Sequence, residues 1–132
     1  MLRGVFYAEF DNIEGPKIMF QAPSDCLSPQ SFDQISGYII TGPKLSHKVI
    51  RFDACGYRII CYPVRIENSK YDRNALLFNF GFVFDPNAKT ENYVSTLVKL
   101  ASTIETLEQE AAFLSTPDTK ARLGEVLPEV LR

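Results

Sequence analysis

The sequence of 132 residues predicts an α+β fold, namely an α/β/α sandwich built on a five-stranded, mostly antiparallel sheet with the order β-β-α-β-β-β-α-α. Three observations predict it. Short turn signals join several neighbouring strand-like segments, which favours antiparallel pairing. Residues 75–84 are apolar at both alternating sets of positions except at Asn79, which is typical of a central strand covered on both faces. One helix-like segment lies between the second and third strands and two end the chain, so we expect the first on one face of the sheet and the last two on the other.

The N-terminal segment predicts a β-hairpin. Residues 2–10 are rich in aromatic side chains, residues 12–16 contain turn signals, and residues 17–21 supply the second strand. Pro16 has no N–H to donate to a ladder, so we expect it at the start of a strand or on an edge of the sheet.

A first helix is predicted after residue 28. Ser28 is suited to be its N-cap and Pro29 its first residue. Gly42-Pro43 is expected to end it. The apolar side chains at helical spacing are Phe32, Ile35, Tyr38 and Ile39.

The middle of the chain predicts the remaining strands. Residues 48–54 and 57–64 form two strands around a tight turn at Cys55-Gly56. A polar loop over residues 67–73 then leads into the central strand at 75–84.

Two helices are predicted at the end of the chain. Thr90 opens a long amphipathic helix, and Thr116-Pro117-Asp118 begins another. Gly124 and Pro128 leave open where this last helix ends. The apolar positions of the long helix are Val94, Leu97, Ala101, Ile104, Leu107, Ala111 and Leu114. The side chains predicted to face away from the core are Lys99, Glu105, Glu108 and Gln109. The acidic cluster Glu105, Glu108 and Glu110 is interpreted as a solvated face, with contact to a basic partner surface as the alternative.

Composition excludes several classes of function. The chain has 14 Lys and Arg against 16 Asp and Glu, which argues against non-specific binding to nucleic acid or to an anionic bilayer. Glu9 comes too early for a signal peptide, and no apolar run is long enough to span a membrane, so we expect a cytoplasmic protein. The length predicts one domain over residues 1–132, and the abrupt end suggests the N-terminal part of a longer protein.

Metal and catalytic signatures are missing from the sequence. Cys26, Cys55 and Cys61 form no C-x-x-C pair and are expected to be reduced. His47 is the only histidine, so zinc would lack ligands, and we expect this side chain to face solvent. The sequence holds no Walker A, G-x-S-x-G or H-E-x-x-H pattern, so we expect no cofactor and no metal.

Arg73 is the residue that we single out. It lies in the polar loop just before the central strand, and loops on a rigid scaffold commonly carry functional groups. A planar, permanently charged guanidinium suits phosphate oxygens. From residue types alone, an ordinary surface arginine remains the favoured interpretation.

Four segments of the sequence carry a resemblance to a known family, and one of them contains Arg73. They are Phe6-Tyr7-Ala8-Glu9-Phe10, Gly15-Pro16-Lys17-Ile18, Tyr38-Ile39-Ile40-Thr41 and the string Lys70-Tyr71-Asp72-Arg73-Asn74-Ala75-Leu76-Leu77-Phe78-Asn79. In this order, and with Gly81-Phe82-Val83 and the long helix after them, the chain resembles the N-terminal longin domain of the nitrogen permease regulator 2 family. The resemblance covers nearly all of the chain, and the last string is its most specific part.

The resemblance implies a function. The family pairs with nitrogen permease regulator 3 through longin domains, and a DEP-domain subunit completes a GATOR (SEA-type) complex. That complex activates GTP hydrolysis by a Rag-family GTPase at the lysosome or vacuole and restrains target-of-rapamycin signalling when amino acids are scarce. The family's arginine finger falls on Arg73, acting in trans.

The neighbours of Arg73 are expected to support the loop. Tyr71 fixes its base, Asp72 holds the guanidinium until the GTPase docks, and Asn74 shapes the loop by bonding nearby backbone. The alternative is a non-catalytic longin scaffold that mediates heterodimerisation and complex assembly, because a fold alone does not imply catalysis.

Overall fold

The computed structural model describes residues 2–11, 13–39, 45–71 and 74–131, with the side chains of residues 38 and 39 left aside. Within these ranges the chain forms five strands and three helices in the predicted order, which confirms the α+β class and is consistent with a longin-like fold. The elements are β1 (Leu2–Asp11), β2 (Gly15–Ala22), α1 (Pro29–Ile39), β3 (Ile50–Ala54), β4 (Tyr57–Glu67), β5 (Ala75–Phe84), α2 (Glu91–Ala111) and α3 (Pro117–Val130). The expected helix end at Gly42-Pro43 lies outside the described residues.

The sheet is antiparallel between all described neighbours and has the order β2-β1-β5-β4-β3. β5 is therefore central, as predicted, and Gly81 lies opposite both Phe6 of β1 and Cys61 of β4. β2 is an edge strand with Pro16 as its second residue, which confirms the expected position of this proline.

The two faces of the sheet carry separate cores, which confirms the sandwich. On the face covered by α2 and α3, the buried side chains of β5 are Phe78, Phe80, Phe82 and Phe84. On the face covered by α1, Val83 packs with Phe6 and Ile35. The ring of Phe6 occupies the space in front of Gly81, where an added Cβ would lie 2.1 Å from Phe6 Cζ.

Turns and caps follow the local chemistry of the sequence. The backbone N–H of Ser31 donates to Ser28 Oγ at 3.1 Å, so Ser28 caps α1 as predicted. Cys55 and Gly56 both have positive φ (57° and 78°), which is the backbone of a tight hairpin turn. Thr90 and Thr116 take the N-cap positions of α2 and α3 without a side-chain cap hydrogen bond.

All strands except β5 differ from their predicted boundaries: β1 ends one residue later, at Asp11, and β2 covers Gly15–Ala22 rather than residues 17–21. β3 begins at Ile50 rather than at residue 48, because its ladder to β4 starts only at the pair of Ile50 and Cys61. β4 continues to Glu67 rather than to residue 64, because the start of β5 keeps pairing with it as far as Glu67 and Ala75.

Helix α3 runs through Gly124 and Pro128 to Val130. Gly124 lets the helix approach β2 closely, since an added Cβ would lie 2.6 Å from Phe20 Cδ1. Among the helices so described, none combines the length and the apolarity that crossing a membrane requires.

Candidate functional site

The loop between β4 and β5 is tied across its base by backbone hydrogen bonds. The N–H of Asn68 donates to Asn74 O at 2.9 Å and extends the ladder by one step beyond Glu67 and Ala75. The N–H of Tyr71 donates to Asn68 O at 3.1 Å, and the side-chain Oδ1 of Asn68 accepts the N–H of Lys70 at 3.0 Å. The first half of the loop is therefore a compact turn built around Asn68.

The two residues that flank positions 72 and 73 are bonded to each other. The N–H of Asn74 donates to Tyr71 O at 2.9 Å, and Asn74 has a φ of 62°. Asn adopts this left-handed backbone more readily than most residues. Asp72 and Arg73 themselves lie outside the described residues, so the structure describes only the residues on either side of them.

A buried carboxylate holds the loop from below. Glu108 of α2 has no exposed surface, and its Oε2 accepts a short hydrogen bond from the Tyr71 hydroxyl. Lys70 Nζ lies 3.2 Å from the same oxygen, and Ser115 Oγ donates to it at 2.7 Å. Oε1 accepts the backbone N–H groups of Leu114 at 2.7 Å and Ser115 at 3.0 Å. One side chain therefore joins the loop to the turn between α2 and α3.

The placement of Glu108 follows from the end of α2. Ala112 adopts a left-handed backbone (φ 53°) at the C-cap, and its N–H donates to Glu108 O. The chain reverses there, which brings the N–H groups of Leu114 and Ser115 back to the Glu108 carboxylate.

The electrostatics of this cluster keep the carboxylate charged. Burial raises the pKa of Glu108, but the hydrogen bonds from Tyr71, Ser115, Lys70 and Leu114 together outweigh it, so the pKa lies below its ordinary value. The pKa of Tyr71 is raised, first by burial and then by its hydrogen bond to Glu108, so the phenol stays a donor at neutral pH.

The prediction that Glu108 faces solvent is wrong. The buried stripe of α2 consists of Leu97, Ala101, Ile104 and Glu108, whereas Leu107 is 36% exposed. These buried positions recur at steps of four, three and four, which is the helical signal that could have identified Glu108 from the sequence. Because Glu108 is charged, the pattern alone favours a solvent-facing position. A carboxylate is buried only where hydrogen-bond donors surround it.

The rest of the predicted acidic cluster does not form one face with Glu108. Glu110 is exposed, whereas Glu105 lies 2.9 Å from His47 Nε2. The side chain of His47 is 45% exposed, so it faces solvent as expected and also contacts α2.

The described part of the chain shows no disulfide and no cluster suited to a metal ion, and it has one further open groove of note. The three cysteines are free, and none of the described His, Cys, Asp and Glu side chains come together in a group of three or more that suits a metal ion. An open groove of about 890 Å³ runs beside β2, between α1 and Gly124 of α3, and none of the described residues of the 67–74 loop lines it. Its apolar lining includes Ile18, Phe20 and Leu27.

Comparison with known proteins adds a family. A family model described as nitrogen permease regulator 2 matches residues 1–127. The "GATOR complex protein NPRL2" of Drosophila melanogaster is 38% identical over 132 residues, which covers 99% of this chain and 32% of that protein. The "Nitrogen permease regulator 2" of Saccharomyces cerevisiae is 38% identical over 113 residues, which covers 84% of this chain and 18% of that protein. The "Nitrogen permease regulator 2 homolog" of Schizosaccharomyces pombe is 30% identical over 140 residues, covering 98% of this chain and 34% of that protein. The chain thus spans about a third or less of the length of these relatives.

Proposed function

The chain belongs to the nitrogen permease regulator 2 family, and from that premise we propose that it is a GTPase-activating domain that supplies Arg73 in trans to a Rag-family GTPase. Its partners in this proposal are the longin domain of nitrogen permease regulator 3, a DEP-domain subunit and the GTPase. The assembled complex acts at the lysosomal or vacuolar surface and restrains target-of-rapamycin signalling when amino acids are scarce.

The chemistry of phosphoryl transfer explains why an arginine is needed. Negative charge spreads over the phosphoryl and leaving-group oxygens in the transition state, and a guanidinium supplied from another protein stabilises it. Such fingers raise the rate by roughly 10³–10⁵. Lys is a poor substitute because it offers a point charge without the planar fork of donors.

The observation that carries the proposal is the anchoring of the loop on both sides of position 73. Tyr71 is bonded to the fully buried Glu108, and Asn74 is bonded back to Tyr71. A side chain that must enter another protein's active site benefits from such fixed neighbours, since correct positioning supplies much of the rate. In the same proposal Asp72 holds the guanidinium before docking, so D72A should alter the GTPase stimulation.

The test is single-turnover GTP hydrolysis by the Rag-type GTPase in the presence of the full complex. We expect R73A to lose stimulation by several orders of magnitude while assembly and GTPase binding persist, and R73K to recover little of it. R51A is the matched control, because Arg51 is an exposed arginine of β3 that lies 3.8 Å from Glu91. Full stimulation by R73A would refute the proposal.

A second candidate function is a scaffold that mediates heterodimerisation only. The groove beside β2 and the position of β2 at the edge of the sheet support it, because an edge strand can pair with a strand of another protein. Under this alternative R73A leaves GTP hydrolysis unchanged, and substitutions along β2 such as I18E prevent assembly.

A further inference from the structure

The described core contains two networks that share a tyrosine, a glutamate and a lysine. In the first, the Tyr7 hydroxyl donates to Glu9, and Lys120 Nζ lies 2.7 Å from a Glu9 oxygen. In the second, Tyr71 and Lys70 meet Glu108. Each network thus contains a tyrosine, a mostly or fully buried glutamate and a lysine, and the second also includes Leu114 and Ser115. The two networks connect different parts of the molecule.

The first network connects secondary-structure elements only. Tyr7 and Glu9 belong to β1, and Lys120 belongs to α3, so its bonds hold α3 against the sheet. The second network connects α2 to the loop before β5 and, through Leu114 and Ser115, to the turn between α2 and α3. Its tyrosine and lysine are the two residues that come immediately before position 72.

Tyr71 is anchored through its side chain and through both of its backbone polar groups. Tyr71 is held through its hydroxyl by Glu108, through its carbonyl by the N–H of Asn74, and through its N–H by Asn68. Lys70 Nζ lies 5.0 Å from the centre of the Tyr71 ring, which adds a cation–π contact. The ring also packs against the core between the sheet and the two C-terminal helices.

We propose that Glu108 is a positioning residue, which fixes Tyr71 and thereby sets where the chain presents Arg73 to the GTPase. This inference rests on the function proposed above. Glu108 does not itself contact the GTPase in this proposal; it acts through the Tyr71 hydroxyl and the backbone that follows. A misplacement of a catalytic group by about 1 Å lowers a rate by roughly 10²-fold, so loosening this anchor should affect the maximal rate.

Y71F isolates this role, and Y7F is its matched control. Each substitution removes one phenolic hydroxyl from a buried glutamate that keeps a lysine as a partner. The pKa of Tyr7 is raised first by burial and then by the neighbouring Glu9, with smaller contributions from Glu108 and Tyr71. The Tyr7 hydroxyl nevertheless bonds Glu9 and not the loop. A general loosening of the core should therefore affect both variants, whereas a loss of positioning should affect Y71F alone.

The experiment compares the full complexes carrying R73A, Y71F, E108Q and Y7F in single-turnover GTP hydrolysis over a range of complex concentrations. We expect Y71F and E108Q to lower the maximal stimulated rate about tenfold or more, with the half-saturating concentration changed less than about twofold. Y7F should retain the wild-type maximal rate. Equal losses for Y71F and Y7F, or a wild-type maximal rate for Y71F, would overturn the inference.

The variant R73A separates the two proposals. If R73A abolishes stimulation while Y71F does not, the positioning role fails and the finger stands. If R73A stimulates fully, the proposed function fails and this inference fails with it. Amide hydrogen exchange over residues 68–74 supplies a readout independent of the GTPase. We expect at least about tenfold faster exchange in Y71F and none of that change in Y7F, and unchanged exchange in Y71F would contradict the anchor.

Discussion

Replacing Glu108 with alanine should destabilise the domain by about 3 kcal/mol at pH 7. The substitution removes the acceptor for two backbone N–H groups, two hydroxyls and one ammonium group. Breaking a buried pair by removing one partner costs roughly 3–5 kcal/mol. The lower end applies here because Lys70 is 43% exposed and Ser115 is exposed, so both can turn to water, whereas the N–H of the buried Leu114 cannot.

The same prediction carries a pH dependence with a definite sign. The pKa of Glu108 in the folded chain lies below its ordinary value, so its contribution is complete above the unfolded pKa of about 4.3 and is lost as pH falls through the folded pKa. The difference in the free energy of unfolding between wild type and E108A should therefore become smaller as the pH is lowered below about 4.

Urea unfolding of the 132-residue chain, followed by circular dichroism at a series of pH values, measures both effects. E110A is the control, because Glu110 is an exposed residue of the same helix, and its substitution should change stability by no more than about 0.5 kcal/mol. A loss below about 1 kcal/mol in E108A, or a difference that does not respond to acid, would refute the reasoning.

Two further predictions concern the core. G81A should lower the free energy of unfolding by about 1–3 kcal/mol, because the new Cβ would lie 2.1 Å from Cζ of the buried Phe6. G37A should raise it by about 0.5–1 kcal/mol, because Gly37 is an exposed helical residue and no described atom beyond its own stretch of helix lies within 4 Å of the new Cβ. Urea unfolding measures both, and changes of the same sign would contradict the packing. Burial raises the pKa of the Cys61 thiol to about 12. Iodoacetamide at pH 8 should therefore modify the half-buried Cys55 and leave Cys61 unmodified until the chain is unfolded. Peptide mass spectrometry measures the modification of each thiol. Equal rates at the two thiols in the native protein would contradict this.

Local chemistry explains why most of the fold could be predicted. Ser28 and Pro29 mark the start of α1, and the two-sided apolar pattern of residues 75–84 marks β5 because a strand buried on both faces has no polar alternation. The cap residues and the apolar pattern each lie within a short stretch of sequence, so a single sequence is enough to recognise them.

The anchoring of the candidate site could not be predicted in the same way. The polar residues of the loop predict its place in the chain, but its bond to Glu108 joins positions 37 residues apart, and the pair of Lys120 and Glu9 joins positions 111 residues apart. A charged residue on a helix is normally solvated, and only tertiary contacts bring enough donors to reverse that preference.

The position of β5 determines the order in which the sheet can form. The hairpins β1–β2 and β3–β4 each pair within a short stretch of chain, but they do not pair with each other, and β5 lies between them. The pairing of β1 with β5 joins Leu2 to Phe84 and Glu9 to Phe78, so it needs a long loop to close. During synthesis the inner edges of β1 and β4 lack their partner strand until β5 leaves the ribosome, and unpaired edges bind other strands readily. The strand at the centre of the finished sheet is therefore the last of the five to be made, and its arrival is the step that joins two hairpins into one sheet.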